Sequence, residues 1–309
     1  MDLGIRGRCA IMCGSSKGLD RGVAQKLAEA GVRLTLNSRA AETLEQTANE
    51  IRARYGVEVR TVQADVTSEA GRQRLLDAEP EPDILITNAG GPPPGSWSDW
   101  GQEAWLDAIN ANMLTPILLM KSVLPGMMSR RWGRIVNITS ASVKSPVAEL
   151  GLSNAARAGL TGFVAGTARQ VTKDGVVINN LLPGWHETDR GVALLSKIAR
   201  ARGLSIEDVR TEAYAANPAG RFGAPEEFGA MAAFLCSQFA GYMIGQNILL
   251  DGGARALARL CACHRDREPS GRVRSGRDEG RSRPYSRDRD RPSRARAWPR
   301  ARADCSRRI

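Results

Sequence analysis

The stretch LGLSNAARAGL, residues 150–160, puts Ser153 and Arg157 four positions apart, on one face of a helix. A serine hydroxyl polarises a carbonyl but is far less acidic than a phenol. Arg157 stays charged, so it suits an alkoxide or a set of hydroxyls and does not usefully donate its proton. Chemistry built on this pair needs an acid from elsewhere. His186, in the loop Pro183-Gly184-Trp185-His186, titrates in a useful range; its competing reading is a loop histidine exposed to water. Glu149 would need burial to remain protonated. The four tyrosines, Tyr55, Tyr214, Tyr242 and Tyr285, all lie away from the stretch. A second chemical feature stands near the N-terminus. In RCAIMCGSSKGLDRGVAQKLAEAG, Gly14 and Gly18 occupy a turn between a strand and a helix, where backbone N–H groups and the helix N-terminus can hold a pyrophosphate.

The elements that must carry these groups alternate along the chain. Strand patterns cover 8–13, 33–38, 57–64, 83–88, 134–139, 176–182 and 246–251. Between them run helical patterns such as RGVAQKLAEAG, ending at Gly31, and AETLEQTANEIRARYG, ending at Gly56, each with glycine placed to cap the C-terminus. Such alternation predicts right-handed βαβ crossovers and an α/β, doubly wound Rossmann-type domain with a seven-stranded parallel sheet over residues 1–253. The loop TNAGGPPPGSWSDW is stiffened by three prolines. Trp97 and Trp100 either wall a substrate pocket or pack on the neighbouring helix.

The net charge of +11 over 309 residues is concentrated at one end, since residues 265–309 carry 16 Arg against 7 Asp or Glu. The remainder is nearly neutral, which argues against a nucleic-acid-binding body. Residues 254–309 form an Arg-rich, low-complexity segment expected to be disordered, and nucleic acid is a partner only if this tail supplies the contacts. Six scattered cysteines fit a reducing cytoplasm, and Cys261, Cys263 and His264 lack the second pair that a metal site requires. No metal is expected, and the hydropathy pattern supports neither a signal peptide nor a membrane span.

The glycine turn is followed, in order, by ADV at 64–66, TNAG at 87–90, Asn112 in INANM, NITS at 137–140, LLPGWHET at 182–188 and GYMIGQNILLDGG. Together these residues resemble the short-chain dehydrogenase/reductase family, of the type that includes 3-oxoacyl-carrier-protein reductases, over residues 5–253. The resemblance implies a nicotinamide dinucleotide cofactor and a small carbonyl or alcohol substrate. Where an acid after the second strand would bind the ribose diol of NAD, this chain has Asn37, Ser38 and Arg39, with Lys17 nearby. Two cations and a hydroxyl suit a 2′-phosphate, so NADP(H) is the expected cofactor. The implied cofactor-binding residues are Gly14, Ser16, Lys17, Gly18, Leu19, Ser38, Arg39, Asp65, Val66, Asn88, Ala89, Gly90, Pro183, Gly184 and Thr188.

The family's Ser, Tyr and Lys positions correspond here to Ser140, Ser153 and Arg157, so Tyr-x-x-x-Lys reads Ser-x-x-x-Arg. The implied catalytic set is Ser140, Ser153, Arg157, Asn112 and His186, the proton coming from His186 or from a water linked to Asn112. The family's third glycine is replaced by Asp20, whose carboxylate would compete with or repel the pyrophosphate. Two other readings stand beside an active reductase: a catalytically inactive cofactor binder or oligomer scaffold, and nucleic-acid binding by the tail. The resemblance further implies a homodimer or homotetramer built on long helices over 100–129 and 152–173.

Overall fold

The five inner runs of the sheet are buried on both faces, as parallel strands must be when crossover helices cover them, while the two edge runs are partly exposed. The computed structural model describes residues 1–254. The strands are β1 (Cys9–Met12), β2 (Arg33–Ser38), β3 (Val59–Gln63), β4 (Ile84–Thr87), β5 (Gly133–Ile138), β6 (Val176–Pro183) and β7 (Asn247–Leu250). They form one parallel sheet in the order β3-β2-β1-β4-β5-β6-β7. Strand order reverses between β1 and β4, so a crevice opens at their carboxyl ends, where open α/β sheets bind ligands. The expected tail lies outside the described residues from position 255 onward, together with Cys261, Cys263, His264 and the nucleic-acid reading of that segment.

Alternate residues of each strand feed two cores. Ala10, Met12, Ile84, Ile86, Val136 and Ile138 face α1 (Gly18–Glu29), α2 (Ala41–Tyr55) and α9 (Pro225–Cys236). Ile11, Cys13, Leu85 and Ile135 face α3 (Glu69–Ala78), α5 (Thr115–Ser129) and α6 (Gly151–Val171). The period of two thus sorts one strand into two layers. A third, smaller cluster of Leu195, Ala199, Val209 and Phe222 lies beneath α7 (Asp189–Arg202) and α8 (Ile206–Ala215). The αL glycines Gly56 and Gly203 end α2 and α7, while Ser68, Thr188 and Ser205 begin α3, α7 and α8 by accepting from a first-turn N–H.

The helix expected over 100–129 is divided. α4 (Gln102–Ile109) passes through a π-turn, Asn110–Leu114, before α5 begins. Pro116 has no N–H for the carbonyl four residues back, and Thr115 N–H instead reaches Asn110, widening the turn. The wide turn leaves Asn112 buried, its amide donating to the Gly90 carbonyl at 3.4 Å. The second long helix, α6, runs 151–171 and closes in a single 3₁₀ turn.

A directed line of amides crosses the sheet near the strand ends. Thr87 Oγ1 donates to Asn137 Oδ1 (2.7 Å), Asn137 Nδ2 to Asn180 Oδ1 (3.1 Å), and Asn180 Nδ2 to Asn247 Oδ1 (2.8 Å). Buried polar groups satisfied in this way fix strand register where an apolar contact would tolerate sliding. Among the described residues no helix is long and apolar enough to cross a membrane, and no cluster of His, Cys, Asp and Glu could hold a metal ion.

Candidate active site

β1 leads into a turn in which Gly14 (φ 70°) and Gly18 (φ 56°) hold left-handed backbone that disfavours any side chain. The turn is tied to both neighbouring strands: Cys13 N–H donates to Ile86 (3.0 Å) and Ser15 N–H to Asn37 (3.0 Å). Ser16 Oγ lies 3.0 Å from Ser38 Oγ, and Thr47 Oγ1 donates to the Ser16 carbonyl at 3.1 Å. Lys17 stands exposed at the N-cap of α1 and provides no side-chain cap. α9 holds α1 at close range, since a Cβ on Gly22 would come within 2.4 Å of the Pro225 carbonyl oxygen. A cavity of about 380 Å³ opens against the turn, lined by Ser16, Lys17, Gly18, Thr47 and Thr188 among others; Ser140 and Ser153 are not part of its wall.

Most of the other expected cofactor residues follow the carboxyl ends of β2, β3, β4 and β6. Ser38 accepts from Ala40 N–H (3.2 Å), and Arg39 is exposed beside it. Asp65 Oδ1 accepts from the N–H and hydroxyl of Thr67 (3.0 and 2.8 Å), and these bonds, with a smaller contribution from Arg39, hold its carboxyl below the usual range. Val66 is buried, Leu19 and Ala89 are half-buried, and Gly90 faces open space. Gly184 N–H donates to Leu250 (2.7 Å), anchoring the loop after Pro183. Thr188 crosses to the glycine turn, with its methyl 3.4 Å from where a Gly18 Cβ would stand.

Asp20, in the first turn of α1, is only 7 % exposed and does not line the cavity at the glycine turn. Asn88 Nδ2 donates to its Oδ2 at 2.8 Å, whereas Oδ1 has no hydrogen-bond partner among the described residues. Burial pushes the carboxyl up to about 7, against the lowering influence of the Asn88 amide, its own backbone N–H and the charge of Arg157.

At the carboxyl end of β5, Ser140 starts a 3₁₀ turn and its Oγ accepts from Ser142 N–H at 3.1 Å. Ser153 and Arg157 are both buried on α6. The guanidinium acts on protein backbone: Arg157 Nη1 donates to the carbonyls of Ile138 and Thr139, each at 2.8 Å. Desolvation, and next the charge of Arg190, lower its pKa to about 10, so it stays cationic at neutral pH. Arg157 Nε, Thr139 Oγ1, Ser142 Oγ and Asn112 Oδ1 are buried without hydrogen-bond partners among the described residues.

His186 is not the water-exposed loop histidine of its competing reading. The ring is 6 % exposed, packed edge-on against Phe228 with centroids 5.4 Å apart, and Nδ1 lies 3.2 Å from the Gly184 carbonyl. Desolvation holds its pKa below the ordinary histidine value, keeping the imidazole neutral. Trp100 packs on the start of α6 at Gly151 and meets Trp105 edge-on at 6.1 Å, while Trp97 is 84 % exposed. Arg190, which motif reading passed over, lays its guanidinium against Gly91, where an added Cβ would stand 2.6 Å from Nη2. Only the packing of α7 over the β4 loop brings those residues together.

Residues 14–255 match the family model described as Enoyl-(Acyl carrier protein) reductase. The 3-oxoacyl-[acyl-carrier-protein] reductase FabG of Aquifex aeolicus is 31 % identical over 261 residues, covering 82 % of this chain and 99 % of that protein. The structure of L-sorbose reductase from Gluconobacter frateurii, complexed with NADPH and L-sorbose, superposes with a TM-score of 0.78 at 27 % identity. It covers 82 % of this chain and 98 % of that one. The actinorhodin polyketide ketoreductase with NADPH gives 0.75 at 29 % identity, over 80 % and 97 %. With the strand order, the glycine turn and the β5–α6 pairing already in place, the chain belongs to the short-chain dehydrogenase/reductase family, as a relative of the 3-oxoacyl-[acyl-carrier-protein] reductases.

Proposed function

We propose that this chain is an NADP(H)-dependent oxidoreductase acting on a carbonyl/alcohol pair, with a 3-oxoacyl or other ketone as the substrate class. The observation that carries the reading is the grip of Arg157 on the carbonyls of Ile138 and Thr139, which fixes the strand end bearing Ser140. A hydroxyl held on a rigid strand end is placed to polarise a carbonyl, and Ser153 on α6 adds a second. NADP(H), when bound, supplies or takes the hydride. The residues present fit its adenosine end: Ser16 and Ser38 are paired at 3.0 Å, Lys17 and Arg39 are exposed beside them, and β2 ends in Asn37 and Ser38 rather than an acid. The NADPH complexes of the sorbose reductase and the polyketide ketoreductase support the same cofactor.

Proton delivery is assigned to a water held by Asn112, whose buried Oδ1 has no partner among the described residues and whose Nδ2 donates to Gly90. The packing of His186 against Phe228 and its depressed pKa support that route over the imidazole. Cys9, Cys13 and Cys236 are buried and unpaired, in keeping with a cytoplasmic setting. Exposed Leu106, Leu114 and Phe163 on and between α4 and α6 support assembly as a homodimer or homotetramer.

Turnover of NADPH with a panel of 3-oxoacyl thioesters and simple ketones tests this reading. Ser140→Ala is expected to lower kcat by about 10²-fold or more, the order of loss for one donor to a developing oxyanion; an unchanged rate overturns the assignment. Ser153 and Arg157 favour a second reading, a cofactor binder that has lost the reaction, and tight NADPH binding with no turnover on any substrate would select it.

A further inference from the structure

The start of α7 meets the crevice at two points. Thr188, its N-cap, touches Gly18 in the turn after β1, and two residues on the Arg190 guanidinium lies on Gly91 in the loop after β4. Successive residues of a helix point about 100° apart, so neighbours along this turn serve different sides. Glu187, Thr188 and Asp189 line the cavity against the glycine turn, whereas Arg190 and Gly91 are not part of its wall. The end that suits a diphosphate is therefore separate from Arg190. Gly91 belongs instead to the end that holds Asn112, which donates to the Gly90 carbonyl, and the charge of Arg190 is felt by Arg157 on α6.

Arg190 is exposed, and among the described residues it has neither a hydrogen bond nor an ion pair. The nearest acids along the chain are turned elsewhere: Glu187 accepts from Tyr214 Oη at 2.6 Å, and Asp189 lines the other cavity. A cation in the first turn of a helix also opposes the helix dipole, which favours anions there. The guanidinium rests in a slot that only glycine leaves open, since a Cβ on Gly91 would stand 2.6 Å from Nη2, 3.0 Å from Nη1 and 3.2 Å from Cζ, and Gly90 beside it adjoins open space. Two cations thus act on one side of the crevice. Asp20 offsets part of their charge at Arg157, but it is buried and joined to neither guanidinium by a hydrogen bond or ion pair. An anion entering beside Gly91 would relieve this repulsion and find a free planar fork of donors.

We propose that Arg190 is a specificity-determining residue that binds a carboxylate of the substrate, so that the ketone taken by this site is an oxo acid and its product the matching hydroxy acid. The proposal deepens the carbonyl/alcohol reading and rests on it. The exposed fork of Arg190 can meet both oxygens of a carboxylate. Arg157 cannot, because it is buried with Nη1 held by the Ile138 and Thr139 carbonyls, and it contributes its field alone. A carboxylate fixed at α7 would orient the acid by a group other than the one that reacts at Ser140. In the reduction the carbonyl carbon takes the hydride of NADPH and the carbonyl oxygen takes a proton, which leaves NADP⁺ and the hydroxy acid.

The test uses pyruvate, acetoacetate and levulinate, which move the ketone stepwise away from the carboxylate, each beside its methyl ester. Binding to the full chain holding NADP⁺ is measured by calorimetry, and NADPH oxidation is followed with the same pairs. At least one acid is expected to bind more tightly than its ester and to show the higher kcat/KM, through KM. Arg190→Met, which keeps the length and removes the charge, should lower that acid-over-ester ratio by about 10- to 100-fold, the order for a charged hydrogen-bonded contact, and Arg190→Lys should recover part of it. Reduction of esters with no preference for acids, or a preference that Arg190→Met leaves unmoved, overturns the proposal and leaves the reductase reading standing. A loss of NADPH affinity in Arg190→Met with the ratio unchanged also overturns it, because the guanidinium then serves the cofactor. Carboxylate binding that depends on Arg190, without turnover of any pair, supports the assignment of Arg190 and selects the cofactor binder that has lost the reaction. Absence of binding by NADPH, NADP⁺ and every acid removes the reductase reading and this proposal with it.

Discussion

The two ends of the crevice satisfy their polar groups in different ways. At the carboxyl ends of β1 and β2, protein meets protein: Ser15 with Asn37, Ser16 with Ser38, and Asn37 Nδ2 with the carbonyls of Val62 and Ala64 at 2.9 and 3.0 Å. At the end of β5 and the facing part of α6, Thr139 Oγ1, Ser142 Oγ, Arg157 Nε and the nearby Asn112 Oδ1 are buried without partners among the described residues. Each unmatched group costs roughly 1–3 kcal/mol, so the second end is held at the expense of stability. A binding surface of the first kind is preformed. A surface of the second kind is completed by what enters it. Asp20 belongs to the first end by sequence and to the second by behaviour, with one oxygen matched and one not.

The largest effect should come from altering the second end. Ser153→Tyr together with Arg157→Lys places a phenol of pKa about 10 where a serine hydroxyl now stands, and general acid catalysis is worth about 10²- to 10⁴-fold. Ketone reduction by the double variant is expected to rise by at least 10²-fold, measured as NADPH oxidation at saturating cofactor. Arg157 Nη1 is committed to the Ile138 and Thr139 carbonyls and is not free to stabilise a phenolate, so the gain should be smaller in Ser153→Tyr alone than in the pair. If neither variant exceeds its parent, proton supply is not what limits this end.

The same contrast explains what was legible beforehand. RLTLNS was readable as a strand to the residue, because a buried run bounded by Gly31 and a polar turn has few other solutions, and the glycine caps at Gly31 and Gly56 marked two helix ends. The π-turn at Asn110–Leu114 was not readable, since apolar spacing continues through it and only the missing N–H of Pro116 marks the irregularity. Cofactor positions clustered in short motifs could be named because each motif folds as one local turn. Their chemistry could not: the burial that raises the Asp20 pKa, the packing of His186 against Phe228 and the meeting of Arg190 with Gly91 depend on elements distant in sequence.

An intermediate effect is expected on stability. The folded-state pKa of Asp20, about 7, lies above the 3.8 of a free carboxyl. The protonated form is therefore favoured by folding. Its contribution is complete below pH 4 and is lost as pH rises through 7. Relative to Asp20→Asn, the unaltered chain should lose stability across that window by on the order of 4 kcal/mol at most. Urea midpoints of both proteins at pH 5 and pH 8 check the sign, since the variant's advantage must grow with pH. An advantage that is equal at the two values would mean that Asp20 titrates normally and that the first end of the crevice is not burdened by it.

The smallest effect belongs to the end whose hydroxyls are already paired. Arg39 is exposed beside Ser38, and its charge already acts on Asp65. An exposed guanidinium is screened and mobile, so its contribution to a 2′-phosphate is limited to about one charged hydrogen bond. Arg39→Ala should weaken NADPH binding by about tenfold and leave NADH binding unchanged, and added salt should shrink the difference. Equal losses for the two cofactors would show that the substitution had disturbed the end of β2 as a whole. No loss for NADPH would transfer recognition of the phosphate to Lys17 and the Ser16–Ser38 pair. The preformed end would then read the cofactor through its hydroxyls and the single cation at the start of α1.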